Sequence, residues 1–217
     1  MTSTSPLRPV IQKGAIIAYG LPELLPKVVV FHCNPDTVNR TFQLNGSTGG
    51  GRGDALRVNG PPSETISLSV RIYAADQLEY PASNPVTVQN GLHPAIAALE
   101  GLLHPAYPAV IANQAMALAG SAFILSEQAP LAFLIWGARR VVPVLFSGLS
   151  FREESFDSKL NPIEVTAELS LRVLTYRDLD VTNPGYWVYL AAFTQKEVMA
   201  ALDLTVPRSG PVPQPPL

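Results

Sequence analysis

The residues that most often carry chemistry are few in this sequence, and they do not converge. His32 and Cys33 are adjacent in a predicted strand, so their side chains leave it on opposite faces and cannot act together as base and nucleophile. His93 and His104 lie at opposite ends of one predicted helix. Packed or surface histidines are the simpler interpretation. We therefore expect no enzymatic activity, no metal site and no cofactor.

Three carboxylates, Glu153, Glu154 and Asp157, are the remaining candidates for acid–base chemistry. Neighbouring residues of a strand point to opposite faces, so Glu153 and Glu154 diverge. Nothing nearby in the sequence supplies the perturbed environment that an acid–base pair of carboxylates needs. A solvated face is the simpler interpretation, and a hydrolase ranks last among the functions considered.

Residues 45–62 form a long glycine-rich loop that contains Gly49-Gly50-Gly51-Arg52-Gly53-Asp54. The Lys-Ser/Thr step of a phosphate-binding loop does not follow these glycines, so a nucleotide site is not supported. The Arg-Gly-Asp tripeptide is short enough to occur by chance, and we give it no weight as an adhesion motif. Two interpretations stay open: a loop that becomes ordered against a neighbouring subunit, with Arg52 and Asp54 as contact residues, or plain disorder.

Charged residues make up only 15% of this 217-residue chain, well under the roughly 25% that is usual in soluble domains. A subunit that covers much of its surface with neighbouring subunits needs fewer charges than a free monomer. A compact monomer with a polar, uncharged exterior also fits, and composition alone slightly favours it.

The charge pattern and the single cysteine narrow the possible partners and location. The formal net charge is −2 and the sequence has no long basic cluster, so we expect no nucleic-acid partner. One cysteine excludes an internal disulfide and suits a reducing compartment. The most apolar stretch, Val110 to Leu125, is interrupted by polar residues and is shorter than the roughly 20 residues that a membrane span needs. We predict a soluble protein that is made in the cytoplasm and does not insert into a membrane.

Two segments show the strict alternation that is typical of strands with one buried face. Within the predicted strands Glu64–Tyr73 and Pro162–Tyr176, aliphatic residues occupy every second position from Ile66 to Ile72 and from Ile163 to Val173. The second strand is joined to a preceding long strand, within Arg139–Phe156, by a short connection, which predicts a long hairpin. The residues predicted on the polar faces of the two strands are Thr65, Ser67, Ser69, Arg71, Thr166, Glu168, Ser170 and Arg172.

The remaining pattern predicts a mainly β fold with one or two helices, a β + α class. Further strands are expected near residues 15–19, 27–33, 39–44 and 131–136, and helices over about 92–103 and 186–202. Residues 106–129 favour a loop with some helix. We assign residues 1–180 to one β domain and residues 181–217 to a C-terminal helix followed by an extended, proline-rich tail.

The short polar side chains on the two alternating strands form a smooth hydrophilic surface. Such strands arranged in a ring could line a water-filled channel, and an ordinary solvent-facing sheet explains them equally well. Long strand edges left unpaired on a monomer are an aggregation hazard, which closure into a ring removes. We therefore predict that the eight polar-face residues, together with Arg52 and Asp54, contribute to an interface between subunits.

An ordered set of short motifs now points to a family. The set comprises Phe31-His32-Cys33-Asn34-Pro35, Gly60-Pro61-Pro62-Ser63-Glu64, Leu92-His93-Pro94, Trp136-Gly137, Val142-Pro143-Val144, Glu153-Glu154-Ser155-Phe156, Leu160-Asn161-Pro162 and Leu171-Arg172-Val173-Leu174-Thr175-Tyr176. In this order it resembles the tube-type domain of the contractile injection system tube/baseplate-hub family, found in extracellular phage-tail-like particles. The resemblance covers roughly Pro9 to Asp180.

The resemblance implies a two-sheet β-barrel or sandwich, like that of phage tail tubes, that assembles as a hexameric ring with inner tube, spike and baseplate subunits. Assembly would take place in the cytoplasm, in a particle that is later released or stays inside the cell. Members of the family often continue into a LysM module, which this chain does not, so peptidoglycan binding is not expected. The alternative is a monomeric β-barrel that binds a small ligand or carbohydrate through aromatic residues such as Trp136, Tyr176 and Trp187.

Overall fold

The computed structural model of the chain describes residues 12–20, 26–31, 33–45, 58–105, 107–120 and 129–203. Within these ranges it contains seven strands and five helices. The strands are β1 (Ala15–Tyr19), β2 (Lys27–Val30), β3 (Val38–Gln43), β4 (Ser63–Tyr73), β5 (Leu131–Ile135), β6 (Val141–Phe156) and β7 (Pro162–Val173). The helices are α1 (Ala75–Leu78), α2 (Pro85–Asn90), α3 (His93–Glu100), α4 (Tyr107–Leu118) and α5 (Pro184–Asp203).

The strands form one antiparallel sheet in the order β2-β1-β5-β6-β7-β4-β3. The predicted β + α class, with mainly β structure, is confirmed. Hydrogen bonds join all seven described strands into a single sheet, so the predicted division into two sheets is not seen. The described residues contain five helices instead of the predicted one or two. The sequence does not reveal α1, α2 and α4, because they are short or lack a clear apolar stripe.

The sheet must curl, because its two edge strands, β2 and β3, are consecutive in the chain. Across a flat sheet of seven strands the outer strands would lie about 29 Å apart. The connection from Val30 to Val38 could cover about 26–29 Å only if it were fully extended. It is bent at Cys33 and Asp36, and Phe31 donates a backbone hydrogen bond to Gly14 at 2.9 Å. The two edges are therefore drawn towards each other.

Aliphatic side chains from the inner face of the curled sheet make one hydrophobic core. In β4, and in β7 from Val165 onward, every second residue is buried, as the alternation predicts. Helix α3 adds Ile96 and Leu99, which are 6% and 1% exposed, and α5 adds Tyr189. Gly14 permits a close approach in this core, since a Cβ there would lie 2.8 Å from the ring of Phe31.

The β6–β7 hairpin is the longest feature of the sheet, with strands of 16 and 12 residues. Its turn is held by the side chain of Asp157, which accepts hydrogen bonds from the backbone N–H groups of Lys159 at 2.7 Å and Asn161 at 2.8 Å. These hydrogen bonds lower the pKa of Asp157. Leu160 adopts a positive φ of 65° in the turn. The predicted long hairpin is confirmed.

A bulge at Ser147 changes which residues of β6 face the core. The register with β7 shifts between Phe146 and Gly148. The hydroxyl of Ser147 donates to the backbone oxygen of Ser170 at 3.0 Å. Beyond the bulge it is Leu149 that stands opposite the buried Leu169, so the odd-numbered residues now face inward.

The predicted C-terminal helix is confirmed as α5. No described helix has the length and hydrophobicity to cross a membrane. The domain boundary near residue 180 stays a prediction. The proline-rich tail, residues 207–217, and most of the glycine-rich loop, residues 46–57, lie outside the described residues.

Substitutions at two adjacent positions of β7 test the assignment of its faces. Leu169 is 2% exposed, so Leu169→Asp would bury an unpaired carboxylate, and we expect it to reduce the free energy of unfolding by about 4 kcal/mol. Ser170→Asp places the same group on the polar face, and we expect a loss below about 1 kcal/mol. Urea denaturation followed by circular dichroism measures both. Equal losses would contradict the assignment.

Candidate functional site

The predicted polar residues of β4 and β7 lie side by side on the outer face of the sheet. The register between the strands places four pairs opposite each other: Thr65 and Arg172, Ser67 and Ser170, Ser69 and Glu168, Arg71 and Thr166. The structure therefore brings all eight together on one surface. Their role in an interface stays a prediction. Arg52 and Asp54 lie outside the described residues, so nothing relates them to this face.

The polar face extends onto both neighbouring strands, where sequence reasoning did not place it. In β3, Asn39 stands opposite Ser67. In β6, Ser150 and Arg152 stand opposite Glu168 and Thr166. A shallow groove of about 550 Å³ runs along this surface. Its lining residues include Thr37, Asn39, Ser67, Ser69, Gly148, Ser150, Glu168 and Ser170. The sequence does not reveal that β6 contributes to the polar face, because the bulge interrupts the alternation of that strand.

Arg172 is held in place at one end of the polar face by Asp178. The guanidinium donates to the carboxylate at 3.1 Å, and Thr175 donates from its backbone N–H and its hydroxyl, each at 2.8 Å. Partial burial raises the pKa of Asp178, but these hydrogen bonds and the charge of Arg172 outweigh it. The net result is a pKa below the ordinary value, which means that the ionised carboxylate is stabilised by folding.

Both flanks of the polar face end in strand edges. Strand β5 pairs with β6 only from Val141 to Val144, so the longer part of β6, Leu145–Phe156, extends beyond it. On the other flank, β3 pairs with β4 alone. In the part of the chain that the structure describes, no strand pairs with these two edges. The four strands β6, β7, β4 and β3 thus form a polar unit that is open on both sides.

Next to this unit, a buried carboxylate attaches α5 to the sheet. Glu64 is 5% exposed, and its two oxygens accept hydrogen bonds from Arg40 at 2.7 Å and from Lys196 at 3.0 Å. Both cations also lie near the ring of Phe42, at 5.0 Å and 6.0 Å from its centre. A buried charge needs such partners, so this cluster determines where the C-terminal half of α5 lies.

The outer face of the other half of the sheet, formed by β2, β1 and β5, is apolar. Val28 and Val30 of β2 are about half exposed, at 52% and 50%. Beside them lies a groove of about 430 Å³, bordered by the first turns of α5. Its lining residues are Ile17, Tyr19, Phe133, Ile135, Val141, Pro184 and Val188, none of which is charged. The outer surface of the sheet is therefore divided into a polar and an apolar half.

The aromatic residues considered for a ligand pocket are distributed over separate places. Trp136 packs against Phe31, with ring centres 6.3 Å apart. Tyr176 packs against Tyr189 at 6.1 Å, and Trp187 is 58% exposed on α5. The three residues named for the carbohydrate-binding alternative therefore do not line one shared pocket among the described residues.

The candidates for catalysis are also separate. Glu153 stands opposite the buried Val165 in the register, whereas Glu154 stands opposite Glu164, so the two carboxylates point to different faces. Cys33 is exposed. Among the described residues, no group of three His, Cys, Asp or Glu side chains is close enough to hold a metal ion. His32 lies outside that part of the chain.

No protein-family model matches the chain, and no curated protein matches it. Its function is therefore inferred from the geometry of the polar face and its edges, together with the ordered motifs in the sequence.

Replacing Asp178 tests whether this carboxylate anchors the end of the polar face. Because its folded-state pKa is depressed, its contribution to stability is present above the unfolded value of about 3.9 and is lost as the pH falls through the folded value. We expect Asp178→Asn to lower the melting temperature at pH 7 and to leave little difference from the wild type in more acidic buffer. Melting curves across the pH range measure this. A difference that is independent of pH would contradict it.

Proposed function

We propose that this chain is a structural subunit of a contractile, phage-tail-like injection system, and that it forms or initiates the inner tube at the baseplate hub as a ring. The observation that carries the proposal is the polar four-stranded unit with an open edge on each flank. The ordered motifs that resemble the tube/baseplate-hub family support the same assignment. The proposed role needs no catalysis and no cofactor.

The open edges favour association through the sheet. An exposed edge presents a row of backbone N–H and C=O groups that can pair with another chain. The β3 edge spans six residues, Val38–Gln43, and the open part of β6 is longer, so a neighbour's β3 fits along it. Pairing β3 of one copy with β6 of the next joins two different surfaces, and contacts of that type close into rings when the rotation permits.

The size of such a ring suits a channel. A hexamer, as the resemblance implies, would contain roughly 24 strands and would be about 37 Å across at a spacing of about 4.8 Å per strand, before strand tilt is included. A barrel of that size encloses an aqueous lumen. With the polar face turned inward, the hydroxyls of Ser67, Ser69 and Ser170 and the mixed charges of Glu168 and Arg172 would line the lumen.

The chemistry of the polar face suits passage of cargo. Arginine and glutamate side chains alternate with serine and threonine, as in the facing pairs Ser69 and Glu168, or Thr65 and Arg172. Charges of both signs keep the wall of the lumen hydrated and do not bind cargo of one charge tightly. The proposed neighbours are copies of this chain or related tube subunits, with spike and baseplate subunits at the end of the tube.

Proline substitutions at two neighbouring positions of β6 separate pairing within the chain from pairing between copies. In an antiparallel strand successive backbone N–H groups point to opposite edges, so one of Arg152 and Glu153 donates towards β7 and the other points to the open edge. Of the variants Arg152→Pro and Glu153→Pro, we expect the one that removes the N–H group directed at β7 to melt at a lower temperature. The variant that removes the N–H group at the open edge should keep the wild-type melting temperature and lose the rings.

Native mass spectrometry and negative-stain microscopy read out this comparison. Rings of unchanged mass in both variants would contradict pairing through the β6 edge. A wild-type chain that stays monomeric alone and in the presence of tube, spike and baseplate subunits would contradict the ring itself.

A further inference from the structure

A cavity of about 320 Å³ lies between α5 and the sheet, beside the Glu64 cluster. Four aromatic residues from three parts of the chain line it: Phe42, Tyr176, Tyr189 and Phe193. Phe42 and Phe193 are each 48% exposed and Tyr176 is 42% exposed. A concentration of half-exposed aromatic rings around one cavity is typical of a binding site.

The chemistry of the cavity suits a proline-rich segment. Such segments form a polyproline II helix, which has no internal hydrogen bonds, and they bind in grooves lined by aromatic side chains. Their free backbone carbonyl groups need hydrogen-bond donors, which the ammonium group of Lys196 and the hydroxyl group of Tyr176 supply at this cavity. A cationic ligand is disfavoured, because Glu64 is already paired with both Arg40 and Lys196, which leaves one positive charge in excess.

The chain supplies such a segment directly after the helix that lines the cavity. Helix α5 ends at Asp203, and residues 207–217 contain five prolines. Lys196, the cavity residue nearest to the end of α5, lies seven residues before that end, or about 10 Å along the helix axis. A covalent connection this short gives the tail an effective concentration on the order of 1 mM at the cavity.

A tail that reverses over residues 204–206 and runs back along α5 meets the cavity at defined positions. Lys196 and Tyr189 lie about 10 Å and about 21 Å from the end of the helix. At about 3.1 Å per residue, a polyproline II segment that starts at Pro207 covers these distances at about residues 210 and 214. Pro211 and Pro213 therefore come to lie opposite the cavity, whereas Pro207 does not reach it.

We infer that residues 211–213 of the tail dock in this cavity of the same copy of the chain. Pro211 and Pro213 would pack against the rings of Tyr176 and Phe193, and Lys196 would donate to a backbone carbonyl group of the segment. Glu64, which borders the cavity, lies on the buried face of β4, opposite the polar face. Docking would therefore hold the tail away from the polar face. The inference goes beyond the proposed ring and does not depend on it.

Binding of a fluorescein-labelled peptide with the sequence of residues 207–217 tests this contact in the full chain. A full-length variant with Pro211→Ser and Pro213→Ser, the open-cavity variant, loses the proposed occupant from its own tail. We expect the peptide to bind this variant and to bind the wild type about tenfold more weakly. The factor follows from competition by a tail at about 1 mM effective concentration with a peptide whose Kd is about 0.1 mM. Fluorescence anisotropy measures both affinities.

Matched substitutions test the cavity and the register of the tail. In the open-cavity variant, Phe193→Ala removes a ring of the cavity and should weaken peptide binding about tenfold or more. Trp187→Ala removes a ring of α5 that is 58% exposed and does not line the cavity, and it should leave the affinity unchanged. A peptide with Pro211→Ser and Pro213→Ser should also lose affinity, whereas a peptide with Pro207→Ser should keep it. Circular dichroism shows that each variant is folded.

Each contrary outcome overturns a defined part of the inference. A peptide that does not bind the open-cavity variant at about 1 mM overturns the docking, and equal losses from Phe193→Ala and Trp187→Ala overturn the site. Equal affinities of the wild type and the open-cavity variant overturn occupation by the chain's own tail. Competition that disappears when the wild type is diluted would place the tail of a second copy in the cavity and overturn it as well. The tube proposal is unaffected by these results, since ring formation is measured separately.

Discussion

The register of the β4–β7 pair is the constraint on which the rest of the structure depends. Leu68 stands opposite Leu169 on the buried face, while Ser67 stands opposite Ser170 on the outer face. Because side chains alternate with a period of two, a slip of one residue would carry every aliphatic side chain into water and every hydroxyl into the core. The buried aliphatic residues and the exposed hydroxyl residues together therefore permit a single register between β4 and β7. The polar face and the position of both flanking strands follow from it.

The division of the outer surface explains a composition that is unusual for a monomer. On β6, β7, β4 and β3 the outer face is polar, and on β2, β1 and β5 it is apolar and partly exposed. With 15% charged residues, the chain has few charges to distribute, and all the charged residues of the seven described strands except Lys27 belong to β3, β4, β6 or β7. An apolar half with so little charge is what a subunit needs if neighbours cover it.

Helix α5 shows how a long-range electrostatic contact completes the fold. Lys196 and Arg40 are far apart in sequence, yet both donate to the one carboxylate of Glu64. In the sequence, alternation places Glu64 on the same face as Ile66 and Leu68, but nothing local supplies partners for a buried carboxylate. Its burial depends on where β3 and α5 lie, which the sequence pattern does not specify.

The sequence by itself determined the mainly β class, the β6–β7 hairpin, α5 and the eight polar residues of β4 and β7. It could do so because alternation and helical periodicity are local properties of a segment. Only the tertiary structure decided the strand order, the open edges, the addition of Ser150 and Arg152 to the polar face, and the exposure of one side of α4. The bulge at Ser147 interrupts the alternation of β6, and the two polar residues of α4, Asn113 and Gln114, are adjacent, so they do not reveal which side of the helix is exposed. Strand neighbours are selected by pairing between distant segments, and an edge becomes an edge only when the whole sheet is assembled.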